Sequence, residues 1–247
     1  MVPGAWVCAV TRIAIIAAMP AELKPLIRGW QHQRLNGVDL WRSDNGEWIA
    51  ACAGAGVDAA TRAFAEVEKL GPIDKVISIG WAGALREDLA PGQAYDVSTV
   101  IDARTGERFI AAGPQNNCWL VTSSRVADET EKKRLASSYN ATLVDMEAAG
   151  VARLAQMRDI PFYCIKGISD GYNDQLPDFN RFISPDGQFK LTRFVVFTLL
   201  RPPYWHALIR MGENSRKAAR NIAQSVLDFL DDRGPASKRN GKSNYQR

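Results

Sequence analysis

The chain contains 247 residues, 46% of them apolar, which is enough to bury one sizeable hydrophobic core. Its 31 basic and 27 acidic residues are interspersed and leave a formal net charge of +4, so the composition excludes the strongly basic surface typical of nucleic-acid-binding domains. Two histidines and four widely spaced cysteines argue against a zinc site or a disulfide framework and predict reduced thiols in a cytoplasmic protein: Cys8, Cys52, Cys118 and Cys164.

The N-terminal segment 1–19 is apolar enough to suggest a signal peptide. However, it has no basic region at its start, and Arg12 interrupts it before it reaches the roughly 18 residues of a membrane span. We therefore expect a short extension followed by the first strand.

Short apolar runs bounded by turn signals predict seven strands, at 12–18, 47–53, 75–80, 94–101, 118–124, 141–146 and 161–169. Helical patterns lie between several of them, at 20–30, 58–70, 128–139 and 147–159. This alternation predicts a single α/β domain over residues 12–232, with a mixed, largely parallel central sheet flanked by helices. The basic run 233–247 is typical of a disordered tail.

Carboxylates follow three of the predicted strands: Glu22, Glu147 and Asp170. In parallel sheets, ligand sites lie outside the carboxyl ends of the strands. Each residue also has a purely structural interpretation, because acidic residues are favourable in the first turn of a helix and in loops. Carboxylates on one rim suit a metal or a polyhydroxylated substrate, and the lack of ligating histidines favours the substrate.

The segment "GAGVDA" (54–59) follows a strand, opens a helix and fits a dinucleotide-binding fingerprint. Such a site also needs an acidic residue at the end of the next strand, whereas Asp74 precedes that strand. A tight turn and a glycine loop against another anionic or ribosyl ligand remain open.

The segment "GISDG" (167–171) matches the elbow that presents a nucleophilic serine. That elbow must enter a helix directly after the serine, but here the helix-breaking run "GYNDQLPD" follows. His206 would have to act as the base, which makes a serine hydrolase a weak alternative.

Several segments together resemble the nucleoside phosphorylase/nucleosidase superfamily, specifically the branch that contains 5'-methylthioadenosine/S-adenosylhomocysteine nucleosidase. The resemblance extends from Ile13 to about Asn173. Its most specific parts are "VDMEAAGVARLA" and "KGISD", in that order and spacing. The other matching segments are "IAIIAAMPAEL", "AGAGVDAA", "IGWAGAL" and "APGQAYDVS".

The resemblance implies a role for each carboxylate. Asp170 would hydrogen-bond the purine N7 and exocyclic amine and donate a proton, with Ser169 positioning it. Such an acid is needed because cleavage expels a purine anion unless N7 is protonated. Glu22 would activate water, while Met146 and Glu147 would bind the ribose, the carboxylate also stabilising a ribosyl cation.

Further substrate contacts are implied on both sides of the nucleoside. Ala82 and Gly83 belong to the loop on the ribose side, and backbone groups near Val126 and Ala127 would contact the base. Lys166 stands where the nucleosidases have an arginine, so it would act as a point charge without a bidentate fork.

Departures from the family pattern weaken the assignment of the nucleophile. Trp81 stands where serine or threonine is common, and Ala84 replaces a second glycine. Arg62 and Arg86 are the nearby arginines that could bind a phosphate. We expect hydrolysis, with phosphorolysis as the alternative, and neither a cofactor nor a metal.

Beyond Asn173 the chain has an apolar segment in which a Pro-Pro break separates two helical patterns. This arrangement looks like the hopanoid-associated branch of the superfamily, which is thought to remove adenine from adenosylhopane. The segment 189–211 could equally pack on the sheet, form a dimer interface or face lipid. We expect a homodimer that acts on a small nucleoside and binds no nucleic acid. Two functions from other classes remain as alternatives: an NAD-dependent oxidoreductase and a non-catalytic nucleoside-binding protein.

Overall fold

A mixed sheet of 11 strands forms the centre of the computed structural model. The structure describes residues 12–174, 177–184, 187–190, 192–194, 197 and 201–231, so the N-terminal extension, Cys8 and the tail 233–247 lie outside the described residues. The strands are β1 (Ile13–Ala17), β2 (Gln31–Leu35), β3 (Val38–Arg42), β4 (Trp48–Cys52), β5 (Lys75–Ala84), β6 (Ala94–Asp96), β7 (Thr99–Asp102), β8 (Arg108–Ile110), β9 (Trp119–Thr122), β10 (Leu143–Asp145) and β11 (Phe162–Asp170).

The helices flank both faces of this sheet. They are α1 (Pro20–Leu23), α2 (Val57–Glu68), α3 (Glu129–Tyr139), α4 (Ala148–Met157) and α5 (Trp205–Asp231), with short 3-10 helices at Phe179–Phe182 and Pro202–Tyr204. Among the helices that the structure describes, none is long and apolar enough to cross a membrane.

The strand order is β2-β3-β4-β1-β5-β10-β9-β7-β8, with β11 pairing with β5 and β6 pairing with β11. Parallel pairs join β1 to both β4 and β5, β5 to β11, and β9 to both β7 and β10. The far end of β5 turns to pair antiparallel with β10, at Gly83 and Ala84. This turn brings the ends of β1, β5, β10 and β11 together.

The two faces of the sheet carry separate hydrophobic clusters because adjacent strand residues point in opposite directions. Ile16 packs in one cluster with Phe64 of α2 and Val151 of α4, whereas Ile15 packs in another with Val226 of α5. All five of these side chains are fully buried. The mixed α/β architecture with its flanking helices is therefore as expected from the sequence.

Each of the seven apolar runs contains a strand, but the run 94–101 forms two. The chain crosses the sheet there, since Val97 donates its N–H to Cys164 of β11 and Ser98 donates to Cys118 beside β9. The helix expected over 20–30 ends after Leu23, and Pro25 follows it in a turn. A proline in a helix interior removes a hydrogen bond and clashes with the preceding turn.

The hairpin of β2 and β3 was not expected, because all five residues of β2 are exposed and show no apolar alternation. Asn36 and Gly37 form its turn with φ values of 51° and 78°. An Asn-Gly pair between strands is a strong hairpin signal, so this dipeptide could have revealed it.

Helix α5 packs on β11 at a point where only a glycine fits. A Cβ atom on Gly167 would lie 2.8 Å from Ala218 Cβ and 2.9 Å from Ile222 Cδ1. We expect Gly167→Val to lower the free energy of unfolding by about 1–3 kcal/mol through overpacking, measured by urea denaturation. Gly212→Ala, on α5 with nothing within 4 Å, should be neutral or stabilising by up to about 1 kcal/mol. Equal stabilities for the two variants would contradict this packing.

Candidate active site

The predicted carboxylates line one cavity of about 1460 Å³ at the carboxyl ends of the strands. The same cavity is lined by all but one of the other site residues expected from the sequence: Ala82, Gly83, Val126, Ala127, Met146 and Ser169. Lys166 lies beneath it, fully buried. The topology therefore brings together residues that are far apart in the chain.

Glu22 is held by three backbone donors. Its Oε2 atom accepts from the N–H groups of Ala18 at 2.9 Å and Met19 at 2.8 Å, and its Oε1 atom accepts from Trp81 N–H at 2.8 Å. Burial raises the pKa of this carboxyl group above its ordinary value, although the three donors and Lys166 act against the shift. A rigid carboxylate with a raised pKa is suited to general-base chemistry.

Gly80 makes the position of Glu22 possible. This glycine has a φ of +145°, and a Cβ atom on it would lie 2.9 Å from Glu22 Oε1. A larger residue would therefore displace the carboxylate as well as strain the backbone.

Glu147 precedes helix α4 but does not cap it with its side chain. Its Oε1 atom accepts from Gly56 N–H at 2.8 Å, and its Oε2 atom accepts from Met146 N–H at 3.2 Å. Burial, together with the nearby charge of Asp145, raises its pKa to about 8. Burial therefore favours the protonated form of this carboxyl group.

The fully buried Lys166 forms an ion pair with Asp145, with 2.9 Å between Nζ and Oδ2. Burial disfavours its charge, but Asp145 and the neighbouring acidic groups raise the pKa of Lys166 above its ordinary value. Asp145 also accepts from Thr122 Oγ1 at 2.7 Å and from Ala148 N–H at 2.9 Å. The pair thus supports the site from below, and direct binding of substrate by Lys166 stays a prediction.

Asp170 is bonded through both of its oxygens. Its Oδ1 atom accepts from Ser169 Oγ at 2.6 Å, and its Oδ2 atom accepts from Lys132 Nζ at 2.5 Å. The β5–β11 register shifts between Ile168 and Asp170, so Ser169 is an extra residue in the strand. Such a bulge re-aims side chains, and it lets consecutive residues face the same cavity.

The backbone of Val126 is already paired with a side chain. Asn180 accepts from Val126 N–H at 2.8 Å through Oδ1 and donates to Val126 C=O at 3.1 Å through Nδ2. This contact ties the short helix Phe179–Phe182 to the loop after β9. Base binding by Val126 and Ala127 stays a prediction.

Trp81 lines the cavity beside Glu22, whereas the two candidate arginines lie apart from it. The indole N–H of Trp81 donates to Ser215 C=O on α5 at 3.0 Å. Arg86 pairs with Asp88 at the surface, and Arg62 donates to Ala53 C=O at 3.4 Å. Neither arginine lines the cavity.

The structure does not favour the dinucleotide-binding site or the serine-hydrolase elbow that the sequence offered as alternatives. The N–H of Gly56, where a dinucleotide phosphate would bind, meets the carboxyl group of Glu147, while Asp74 accepts from the backbone N–H of Arg12 at 2.6 Å. Ser169 lies inside β11 rather than at a strand-to-helix turn, and its hydroxyl group donates to Asp170.

Sequence reasoning missed Lys132, Asp145 and Asn180. Asp145 precedes the Met-Glu pair directly, so its position after a buried strand was a usable signal. Lys132 lies on the polar helix α3 within "EKKR", where the sequence does not distinguish it from Lys133. Only Lys132 is buried, with 2% exposure.

The model of the phosphorylase superfamily matches residues 12–116 and 118–195, which is more than half of the chain, so the protein belongs to this superfamily. A search of curated proteins finds no match.

Solved structures with the same fold include three enzymes. A Helicobacter pylori 5'-methylthioadenosine/S-adenosylhomocysteine nucleosidase has a TM-score of 0.68 and 18% identity, over 91% of this chain and 99% of that one. Futalosine hydrolase from the same organism has a TM-score of 0.68 and 17% identity, over 90% and 98%. Arabidopsis thaliana 5'-methylthioadenosine nucleosidase has a TM-score of 0.67 and 19% identity, over 91% and 98%. At these identities the likeness establishes the fold.

The raised pKa of Glu147 predicts a pH-dependent stability. Between its ordinary value of 4.5 and about 8, the folded protein holds a proton that the unfolded chain has lost. Stability should therefore fall as pH rises through this window, by at most about 1.4 kcal/mol per pH unit. Glu147→Gln lacks this titration, so the wild-type protein should lose stability relative to the variant between about pH 5 and about pH 8, as measured by urea unfolding.

Glu213→Gln is the matched control, because Glu213 is exposed on α5. It removes the same charge from the surface and should leave the pH dependence of the wild-type protein unchanged. A constant stability difference between wild type and Glu147→Gln across the window would show that Glu147 titrates normally.

Proposed function

We propose that the protein hydrolyses the N-glycosidic bond of a purine nucleoside, with adenine as the expected base, releasing the base and a ribose derivative. The observation that carries the proposal is the convergence of Glu22, Glu147 and Asp170 in one cavity, each fixed by hydrogen bonds. Membership of the phosphorylase superfamily and a fold shared with nucleosidases support it.

In the proposed mechanism, Asp170 acts at the purine. In the reacting form the carboxyl group of Asp170 carries a proton. When the bond between C1' and N9 breaks, the electron pair passes to the base and this proton moves to N7, which leaves Asp170 ionised beside Lys132. Ser169 and the rigid end of β11 keep the carboxyl group in place. A positioned general acid contributes about 10²- to 10⁴-fold to the rate.

Glu147 acts on the ribose. A protonated carboxyl group can donate to one hydroxyl group and accept from another. As the bond breaks, positive charge develops on the ribosyl group, and the accepting oxygen of the Glu147 carboxyl group stabilises it electrostatically without a change of protonation. Met146 lines the cavity beside it.

Glu22 orients and deprotonates the attacking water. Its three backbone donors prevent it from rotating away, and its raised pKa suits a base. A phosphate dianion at the same place would be repelled by an ionised Glu22. Other arginines line the cavity, among them Arg28 and Arg216, so phosphorolysis is the alternative that the experiment below tests.

An apolar wall favours a large apolar 5' substituent as a second candidate. Phe179, Phe189, Phe194, Leu208 and Met211 line the cavity, whose volume exceeds the roughly 300–1,000 Å³ of ordinary ligand pockets. Adenosylhopane is the substrate of this kind that the C-terminal resemblance implies. Comparing its turnover with that of adenosine, methylthioadenosine and S-adenosylhomocysteine identifies the preferred 5' group.

Removing the general acid should stop base release. We expect Asp170→Asn to lower kcat for adenine release from adenosine or methylthioadenosine by at least about 100-fold. The variant also leaves the ammonium group of Lys132 buried without its partner, which costs about 3–5 kcal/mol. The double variant Asp170→Asn/Lys132→Met removes both charges and serves as the folded comparison. Near-normal turnover in either folded variant would exclude Asp170 from the mechanism.

The nucleophile is identified by the products. In phosphate-free buffer the wild-type protein should release adenine and a free ribose derivative, and Glu22→Gln should abolish this reaction because the base is lost. Chromatography of both products is the measurement. Release that requires added phosphate and yields a ribose 1-phosphate would identify a phosphorylase, while tight adenosine binding without turnover would identify a binding protein.

A further inference from the structure

Lys132 places an ammonium group at the purine side of the cavity, and the proposed mechanism does not use it. Its side chain lines the cavity, although helix α3, which carries it, is otherwise polar. The Nζ atom lies 2.5 Å from Asp170 Oδ2 and 2.6 Å from Gly171 C=O. A Cβ atom on Gly83 would lie 3.1 Å from both Asp170 Oδ2 and Lys132 Cε, so the ion pair packs directly against β5.

The ammonium group has one donor more than these contacts use. Lysine carries three N–H donors, and Asp170 and Gly171 accept two of them. Within the described part of the chain, the third has no protein acceptor. Since Lys132 lines the cavity, that donor is available to a bound base next to Asp170.

The base edge that carries N7 differs between two classes of purine. A 6-aminopurine presents the acceptor N7 beside an amino donor, whereas a 6-oxopurine presents two acceptors, N7 and O6. When Asp170 carries the proton for N7, its other oxygen only accepts hydrogen bonds, so Asp170 alone suits the amino group and disfavours O6. The neighbouring ammonium group supplies the donor that O6 needs.

The backbone of Val126, which the sequence resemblance assigns to the base, already has a side-chain partner. The single N–H of Val126 is used by Asn180 Oδ1, and its carbonyl already accepts from Asn180 Nδ2. The N–H of Val126 is therefore engaged by Asn180. Asp170 and Lys132 are then the charged candidates for recognition of the group at C6.

We propose that Lys132 determines base specificity and that the site accepts 6-oxopurines such as hypoxanthine, with Lys132 donating to O6. This inference rests on the proposed function, because it places the purine N7 beside Asp170. It widens the base class beyond adenine and gives a role to a buried charge on α3.

Two measurements on the wild-type protein and on Lys132→Met test this assignment. The first is kcat/KM for inosine and adenosine, and the second is the calorimetric Kd for hypoxanthine and adenine, which needs no turnover. Lys133→Met is the matched control, because Lys133 is the next residue on α3, is exposed and pairs with Glu129.

The wild-type protein should bind hypoxanthine within about tenfold of adenine and cleave inosine. Loss of a hydrogen bond from a charged donor should lower the hypoxanthine-to-adenine affinity ratio of Lys132→Met by about 10- to 100-fold. The ratio in Lys133→Met should stay at the wild-type value. A merely structural role of Lys132 would weaken both bases equally and leave the ratio unchanged.

Two outcomes would overturn the inference: an unchanged affinity ratio in Lys132→Met, or a wild-type protein that binds adenine but not hypoxanthine. The second outcome is measured on the wild-type protein alone, so it tests the inference even if Lys132→Met does not fold. If adenosine is cleaved in these cases, the proposed function stands without the role of Lys132. If neither base binds and no nucleoside is cleaved, both proposals fail.

Discussion

Lys166 carries a positive charge at a point that solvent does not reach, and it interacts with three acidic side chains of the site. Asp145 pairs with it at 2.9 Å, and its charge also acts on Glu22 and Glu147. Without this cation, Asp145 would be an uncompensated buried charge, which costs about 3–5 kcal/mol. Lys166 also lies in β11, four positions before Asp170, so one strand carries both the buried cation and the carboxylate of Asp170.

The strand β5 pairs with the strands that carry the acidic residues and so brings these residues to one cavity. Its first part pairs with β1 and β11, and its end pairs with β10, so carboxylates that follow β1, β10 and β11 meet at one edge. Gly80 and Gly83 lie on the part of β5 where Glu22 and Asp170 approach most closely. The absence of side chains there provides the space in which three carboxyl groups converge.

The charges of the site are balanced by partners of different kinds. Backbone N–H groups hold Glu22, and burial favours the protonated form of Glu147, so neither requires a cation of its own. Asp145 and Asp170 each have a lysine, at distances of 2.9 Å and 2.5 Å. Neutral and paired carboxyl groups let an acidic site exist in a buried place without strong mutual repulsion.

The sequence by itself determined the α/β class, the seven apolar runs and the carboxylates after the strands, because apolar periodicity and short motifs are local properties of the chain. The hairpin of β2 and β3 was also encoded, in the Asn-Gly turn. Only the tertiary structure decided which charges are buried and paired. Lys132 and Lys133 are indistinguishable in the sequence, yet one contacts Asp170, 38 residues away, and the other contacts Glu129 on its own helix. Such pairs depend on how strands and helices pack, and no local pattern specifies that.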